Sequence, residues 1–286
     1  MSTNSFGGKW TKEKIELVLE YVQAYLIIMN KYPKYKLLYF DGFAGSGKII
    51  LEEEGYEHEI EGAASRILEI NHPKEFDLYY FVEKKKSVAE SLKSTLGQKY
   101  PDKQSRIKVV SEDCNSKLLA MADFMRNEGR NYRTLAFVDP YGMQVSWESI
   151  QALKNLGVDL WILVPTGVGA NRLLTRNGEN ISVTWAETLQ RFLGIEKEEI
   201  YNQLYCRNTQ QTLFGEEVTT LTKEDNAIRK LAGIYRKRLG EVFTYVSEPH
   251  VLRTKKNVTL YHFFMASNVE AAYNIANHVI KKRLAN

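Results

Sequence analysis

The chain has 286 residues, 44% apolar and 26% charged, enough for one large α/β domain or a core domain with a smaller insertion. Its 39 basic against 35 acidic residues leave a formal charge of +4, too small to name a partner. Two cysteines, Cys114 and Cys206, lie outside any CxxC or Cys–His cluster, which excludes a disulfide framework and speaks against zinc. The first ten residues are polar and no apolar run reaches bilayer length, so a cytoplasmic protein without a membrane anchor is expected.

Residues 11–29, capped by Thr11, carry Ile15, Val18, Val22, Tyr25 and Leu26 at helical spacing. "KLLYF" reads as a first buried strand and runs directly into the glycine turn "DGFAGSGK", in which Lys48 is expected to start a helix. The glutamate-rich stretch 51–60, with His58, reads as a surface excursion, and "EGAASRILEI" as a helix. Strands follow at 76–83, 106–113, 134–142 and from Val158 in "VDLWILVPTG", separated by helices over 85–100, 116–128 and 146–156. This alternation predicts a mainly parallel sheet with helices on both faces.

Beyond residue 170 the rhythm breaks. Residues 170–240 read as a largely helical insertion covering the substrate cleft, and 243–267 as two strands joined by a basic turn, with a closing helix after them. The expected division is 1–169 for the N-terminal helix and ligand-binding core, 170–240 for the insertion, and 241–286 for the elements that complete the core.

Asp41, Glu83, Asp113 and Asp139 each close a predicted strand, and ligands of parallel sheets bind at those carboxyl ends. Gly42, Gly45, Gly47 and Lys48 almost spell a phosphate loop, but Ile49 stands where the magnesium-binding hydroxyl belongs, and Asp41 would repel a triphosphate. Glu83 suits the two hydroxyls of a ribose and Asp113 an adenine amino group, with Cys114 beside it. Two adenosine-bearing ligands fit this pattern, a nicotinamide dinucleotide and S-adenosylmethionine.

"DGFAGSG" resembles the Asp-x-Phe-x-Gly-x-Gly motif of class I S-adenosylmethionine-dependent methyltransferases, a Rossmann-like family. The resemblance implies S-adenosyl-L-methionine as cofactor, held by Asp41, Gly42, Phe43, Ala44, Gly45, Gly47, Glu83, Asp113 and Cys114, and an antiparallel last strand in "YHFFMAS". More closely, "KWTKEKIELVLEYVQAY", "YFDGFAGSGK", "IEGAASRIL", "FVDPYG" and "YHFFMASN" resemble the three-Cys-motif partner proteins, which implies a partner that bears the cysteines.

Asp139-Pro140-Tyr141-Gly142 is similar to the Asp/Asn-Pro-Pro-Tyr/Phe motif of nucleic-acid amino methyltransferases, with one proline missing, and to the Asp-Pro-Phe-Gly of tRNA guanine N2-dimethyltransferases. It implies Asp139 and the Pro140 carbonyl as acceptors for the two hydrogens of an exocyclic amine in DNA or RNA. Tyr141 would stack on the base or pack beneath the sheet, and Gly142 would relieve crowding or complete a turn. Pro165 is expected to shape the acceptor pocket, and Arg236, Lys237 and Arg238 to touch phosphate. The N-terminal helix could bring Trp10 and Lys14 to the cleft, but neither is expected among the site residues. A protein or small-molecule acceptor and a non-catalytic cofactor-binding subunit are the competing readings.

Overall fold

The computed structural model describes residues 9–53, 56–171, 174, 182–211 and 217–284. Eight strands form one sheet in the order β10-β12-β7-β6-β1-β4-β5, with β11 pairing alongside β10 on β12. Five of them, ending at the edge strand β5, are β1 (Lys36–Asp41), β4 (Leu78–Val82), β5 (Ile107–Val110), β6 (Tyr132–Val138) and β7 (Val158–Val164). All pair in parallel, whereas β12 (Thr259–Ser267) runs antiparallel to β7 and carries β10 (Tyr245–Val246) and β11 (His250–Arg253) antiparallel to itself. The expected architecture, mainly parallel with an antiparallel last strand and helices on both faces, is the one the chain adopts.

The strands are apolar on both faces because both faces are covered. Along β1, Leu37 and Tyr39 join one core while Leu38 and Phe40 join the other. The first core packs under α1 (Lys9–Met29), α2 (Ala63–Leu68), α3 (Lys86–Lys99) and the closing helix α9 (Glu270–Leu284). The second lies under α4 (Cys114–Asn127), α5 (Trp147–Gln151), α6 (Val183–Leu193), α7 (Lys197–Leu204) and α8 (Ala227–Val242). Among the described residues no helix is long and apolar enough to cross a membrane.

Several local expectations change. The excursion at 51–60 is part of an antiparallel hairpin, β2 (Lys48–Glu53) with β3 (Tyr56–Glu61), so Lys48 opens a strand instead of a helix. The side chain of His58 lies outside the described residues. The third strand stops at Val110, so Asp113 stands beyond it and caps α4 by accepting from the Asn115 amide at 2.9 Å. The helix expected over 146–156 ends at Gln151, before Asn155 takes a left-handed φ of 62°. The first of the two late strands is split into β10 and β11 around Ser247–Pro249, where proline cannot donate to a ladder.

The segment 170–240 combines helices α6, α7 and most of α8 with strands, and α6 brings Arg191 to the sheet's carboxyl edge. It contains an antiparallel ribbon that carries four threonines, β8 (Tyr205–Gln211) with β9 (Glu217–Lys223), and residues 172–173, 175–181 and 212–216 lie outside the described set. Helix α8 also crosses the expected boundary at 240. Its Leu231, Tyr235 and Leu239 are buried in the second core, so it belongs to the layer covering the sheet.

Candidate functional site

The glycine turn is fixed at the carboxyl edge of the sheet by its neighbours. The Gly42 amide donates to the Phe137 carbonyl of β6, and the Ala44 amide to the Val82 carbonyl of β4, both at 2.9 Å. A side chain at position 42 would place its Cβ 2.6 Å from the Cys114 sulfur, so the turn and the start of α4 pack at a distance only glycine allows. Gly45 and Gly47 have φ of 60° and 76°, conformations that favour glycine. The hairpin returns to this turn, where the Gly62 amide donates to the Gly47 carbonyl at 2.7 Å.

Two cavities open over the turn. One, of about 450 Å³, lies between α1, the turn and β6, and Asp41, Lys14, Trp10, Pro140 and Tyr261 are in its wall. The other, of about 430 Å³, holds Gly42, Glu83, Asp113, Cys114, Gln144 and Arg191. Phe43, Asp139 and Tyr141 line both, so the two halves form one elongated cleft that meets at Asp139.

The acids along it differ in setting. Asp41 is buried at 1% exposure, and Oδ1 accepts from the Phe43 amide at 3.0 Å. Burial pushes its pKa up to about 7; the Phe43 amide and the Lys14 charge oppose the rise, while Asp139 and Glu83 add to it. Burial also acts on Asp113, but hydrogen bonds from Lys84, at 3.2 Å, and from Asn115 hold it below the usual carboxylate range. Glu83 follows β4, and its Oε1 accepts from the Lys85 amide at 2.8 Å. Asp139 follows β6 and is ion-paired to Lys14 of α1. Burial, reinforced by the charges of Asp113 and Asp41, pushes the Cys114 thiol up, so it is an apolar wall of the cleft and not a nucleophile.

Of the residues expected at a site, Asp41, Gly42, Phe43, Ala44, Gly45, Gly47, Glu83, Asp113, Cys114, Asp139, Pro140 and Tyr141 come together here. Tyr141 is 62% exposed at the mouth, which removes the reading of an aromatic packed under the sheet. Gly142 lies outside both cavities; a Cβ there would meet nothing, and its carbonyl accepts from Gln144, so it completes a turn without relieving any crowding. Pro165 is also outside, where its carbonyl accepts from Gly169 and Ala170 in a single π turn.

Arg236, Lys237 and Arg238 line neither cavity. Arg236 pairs with Glu248 at 2.7 Å; Arg238 pairs with Glu241, donates to the carbonyls of Leu193 and Gly194, and lies 4.5 Å over the Trp147 ring. These two arginines tie α8 to its neighbours, while Lys237 is exposed. The cleft cations are instead Lys14, Lys48, Lys84 and Arg191. Lys84 could have been found beside Glu83, but Arg191 arrives on α6 from a distant stretch with no local signal.

The site residues fit S-adenosylmethionine in kind. The cleft has a buried acid for an ammonium, a second acid for ribose hydroxyls, an apolar Cys114 wall, and a turn whose glycines leave the backbone open to a ligand.

No family model matches the chain, and no curated protein matches it. Among solved structures it is similar to a protein from Legionella pneumophila at 11% identity, over 95% of this chain and 91% of that one, with a TM-score of 0.47. It is similar to the putative methyltransferase yhhF from Escherichia coli at 13% identity, over 84% of each chain, with a TM-score of 0.33. A third is Trm1 from Pyrococcus horikoshii, solved in complex with S-adenosyl-L-methionine, at 9% identity, over 91% of this chain and 56% of that one, with a TM-score of 0.44. Similarity this remote bears on neither substrate nor chemistry.

Proposed function

We propose that the chain is an S-adenosylmethionine-dependent methyltransferase acting on an exocyclic base amine of DNA or RNA. One observation carries this reading: Asp139 lies in the wall of both cavities, where a ligand held by Asp41 and the glycine turn meets a group entering past Tyr141. In this reading Asp41 receives the cofactor's ammonium, Glu83 its ribose and Asp113 its adenine. Bound S-adenosylmethionine supplies an electrophilic methyl group, and the protein's residues do the aligning.

An exocyclic amine is a poor nucleophile because its lone pair is shared with the ring. Asp139 and the Pro140 carbonyl would accept its two hydrogens, which favours a pyramidal nitrogen with an exposed lone pair. The amine sheds its proton after attack, so a strong general base is unnecessary, and most of the acceleration comes from orientation and preorganised charge. Tyr141, exposed at the mouth, offers a face for a flipped base, a contact worth about 1–3 kcal/mol.

The closer resemblance to three-Cys-motif partner proteins adds a cysteine-bearing protein partner to the proposal. A reducing, cytoplasmic setting accords with the two free thiols, Cys114 and Cys206.

The test is transfer of a tritiated methyl group to mixed DNA, RNA and protein, with heat-treated protein as blank. Label in nucleic acid is expected. Label confined to protein would overturn the acceptor assignment, and absence of S-adenosylmethionine binding by calorimetry would overturn the cofactor.

A further inference from the structure

Four cations line the cleft, and they are not equivalent. Lys48 pairs with Glu59 at 2.8 Å, Lys84 with Asp113 at 3.2 Å, and Arg191 donates to the Met143 carbonyl at 3.1 Å; all three are exposed. Lys14 alone is buried, at 6% exposure, its ammonium 5.1 Å from the centre of the Trp10 ring and ion-paired to Asp139. The residue that is to receive the acceptor amine is therefore already holding an amine. The same ammonium acts electrostatically on Asp41, which lines the same cavity.

A buried ammonium cannot leave a half-buried carboxylate cheaply unless it finds a new partner. The proposed cofactor carries a carboxylate beside its ammonium, and that carboxylate needs a cation wherever the ammonium meets Asp41. Lys14 is the buried cation in that wall. Exchanging one carboxylate for another on Lys14 keeps its charge compensated, and it uncovers Asp139 at the moment an acceptor amine can use it.

We propose that Lys14 is an exchange switch: it masks Asp139 in the free protein and moves to the carboxylate of the bound cofactor, so that cofactor binding opens the acceptor site. This rests on the cofactor reading above and adds the order of binding, with the cofactor first and the amine second. Lys14 is a positioning residue here, since it acts on the acceptor only through Asp139.

The test compares ligands that differ in the carboxylate. Calorimetry of the full chain with S-adenosylmethionine and with its decarboxylated form is expected to show a preference of roughly tenfold or more for the former, the worth of a charge-assisted contact. Lys14→Met should bind the two alike, while Lys14→Arg keeps most of the preference; thermal melting confirms that each variant is folded. A crystal structure of the wild-type protein with S-adenosylhomocysteine should show the Lys14 ammonium on the ligand carboxylate and off Asp139. Undiminished preference in Lys14→Met, or Lys14 still on Asp139 in that complex, overturns the switch while leaving the cofactor reading intact. Failure of all these ligands to bind the wild-type protein overturns that reading and the switch together.

Discussion

Two buried aspartates sit at opposite ends of the sheet, and their surroundings are opposites too. Asp159, near the start of β7, accepts from the Tyr21 hydroxyl at 2.7 Å and from the Ser267 hydroxyl at 2.6 Å. Asp41, at the end of β1, accepts from the Phe43 amide and looks into an open cleft beside Asp139 and Lys14. Burial raises both acids. At Asp159 the neighbouring hydroxyls and Arg133 oppose that rise, and the group joins β7 to α1 and β12. At Asp41 the Phe43 amide and the Lys14 charge oppose the rise, but Asp139 and Glu83 add to it, and the group stays raised to about 7 in an open cleft that a cationic ligand can enter. Burial alone therefore does not mark a functional acid; a polar environment left incomplete does.

This contrast can be broken experimentally. The largest effect is expected at the cleft. Asp139→Asn should lower methyl transfer roughly 10²- to 10³-fold, the scale of losing one preorganised polar partner, with S-adenosylhomocysteine affinity nearly intact. Loss of cofactor binding in that variant would move Asp139 from the acceptor to the cofactor.

At the other end, Asp159→Ala should cost about 2–4 kcal/mol in urea unfolding, because two buried hydroxyls lose their acceptor, without changing cofactor affinity in the folded fraction. A smaller loss is expected for Asp159→Asn, whose amide oxygen can still accept.

Glu83→Ala should weaken S-adenosylhomocysteine binding roughly tenfold or somewhat more, as expected for losing a charged acceptor of ribose hydroxyls. Unchanged affinity would remove Glu83 from the cofactor site.

The smallest effect is a pH dependence. An ammonium ligand selects ionised Asp41, so affinity should rise roughly tenfold between pH 6 and 8, as Asp41 ionises through about 7, and level off above. Asp41→Asn should abolish that slope. For folding the sign is reversed. The folded pKa lies above the unfolded one, so the contribution of Asp41 is complete below about pH 4 and lost as pH rises through about 7. The advantage of Asp41→Asn in unfolding free energy should therefore grow across that window.

Much of the cleft was legible because its parts are local. A strand that ends in an acid and turns on glycines is written in consecutive residues, and Asp41 through Gly47 lie where that pattern puts them. That β1, β4, β5, β6 and β7 run parallel followed from alternating apolar runs and helices, whereas their order in the sheet did not. The basic cluster at 236–238 misled for the same reason that the glycine turn did not. A charge run shows that a helix has a polar face but not what lies opposite it, and Glu248, Glu241 and Trp147 were there. Nor could Pro165 be told apart from Pro140 by composition, although only Pro140 reaches the cleft.

By itself the sequence determined the five parallel strands, the glycine turn and the acids Asp41, Glu83 and Asp139 at or just past their ends, because periodicity and backbone permissiveness act between near neighbours. Tertiary structure decided that Lys14, 125 positions away, meets Asp139, and that Arg191 reaches the cleft while Arg238 braces Trp147. Those outcomes depend on which helix covers which face and how far a side chain then reaches. Charge pairing is a property of positions in space, and no local pattern encodes it.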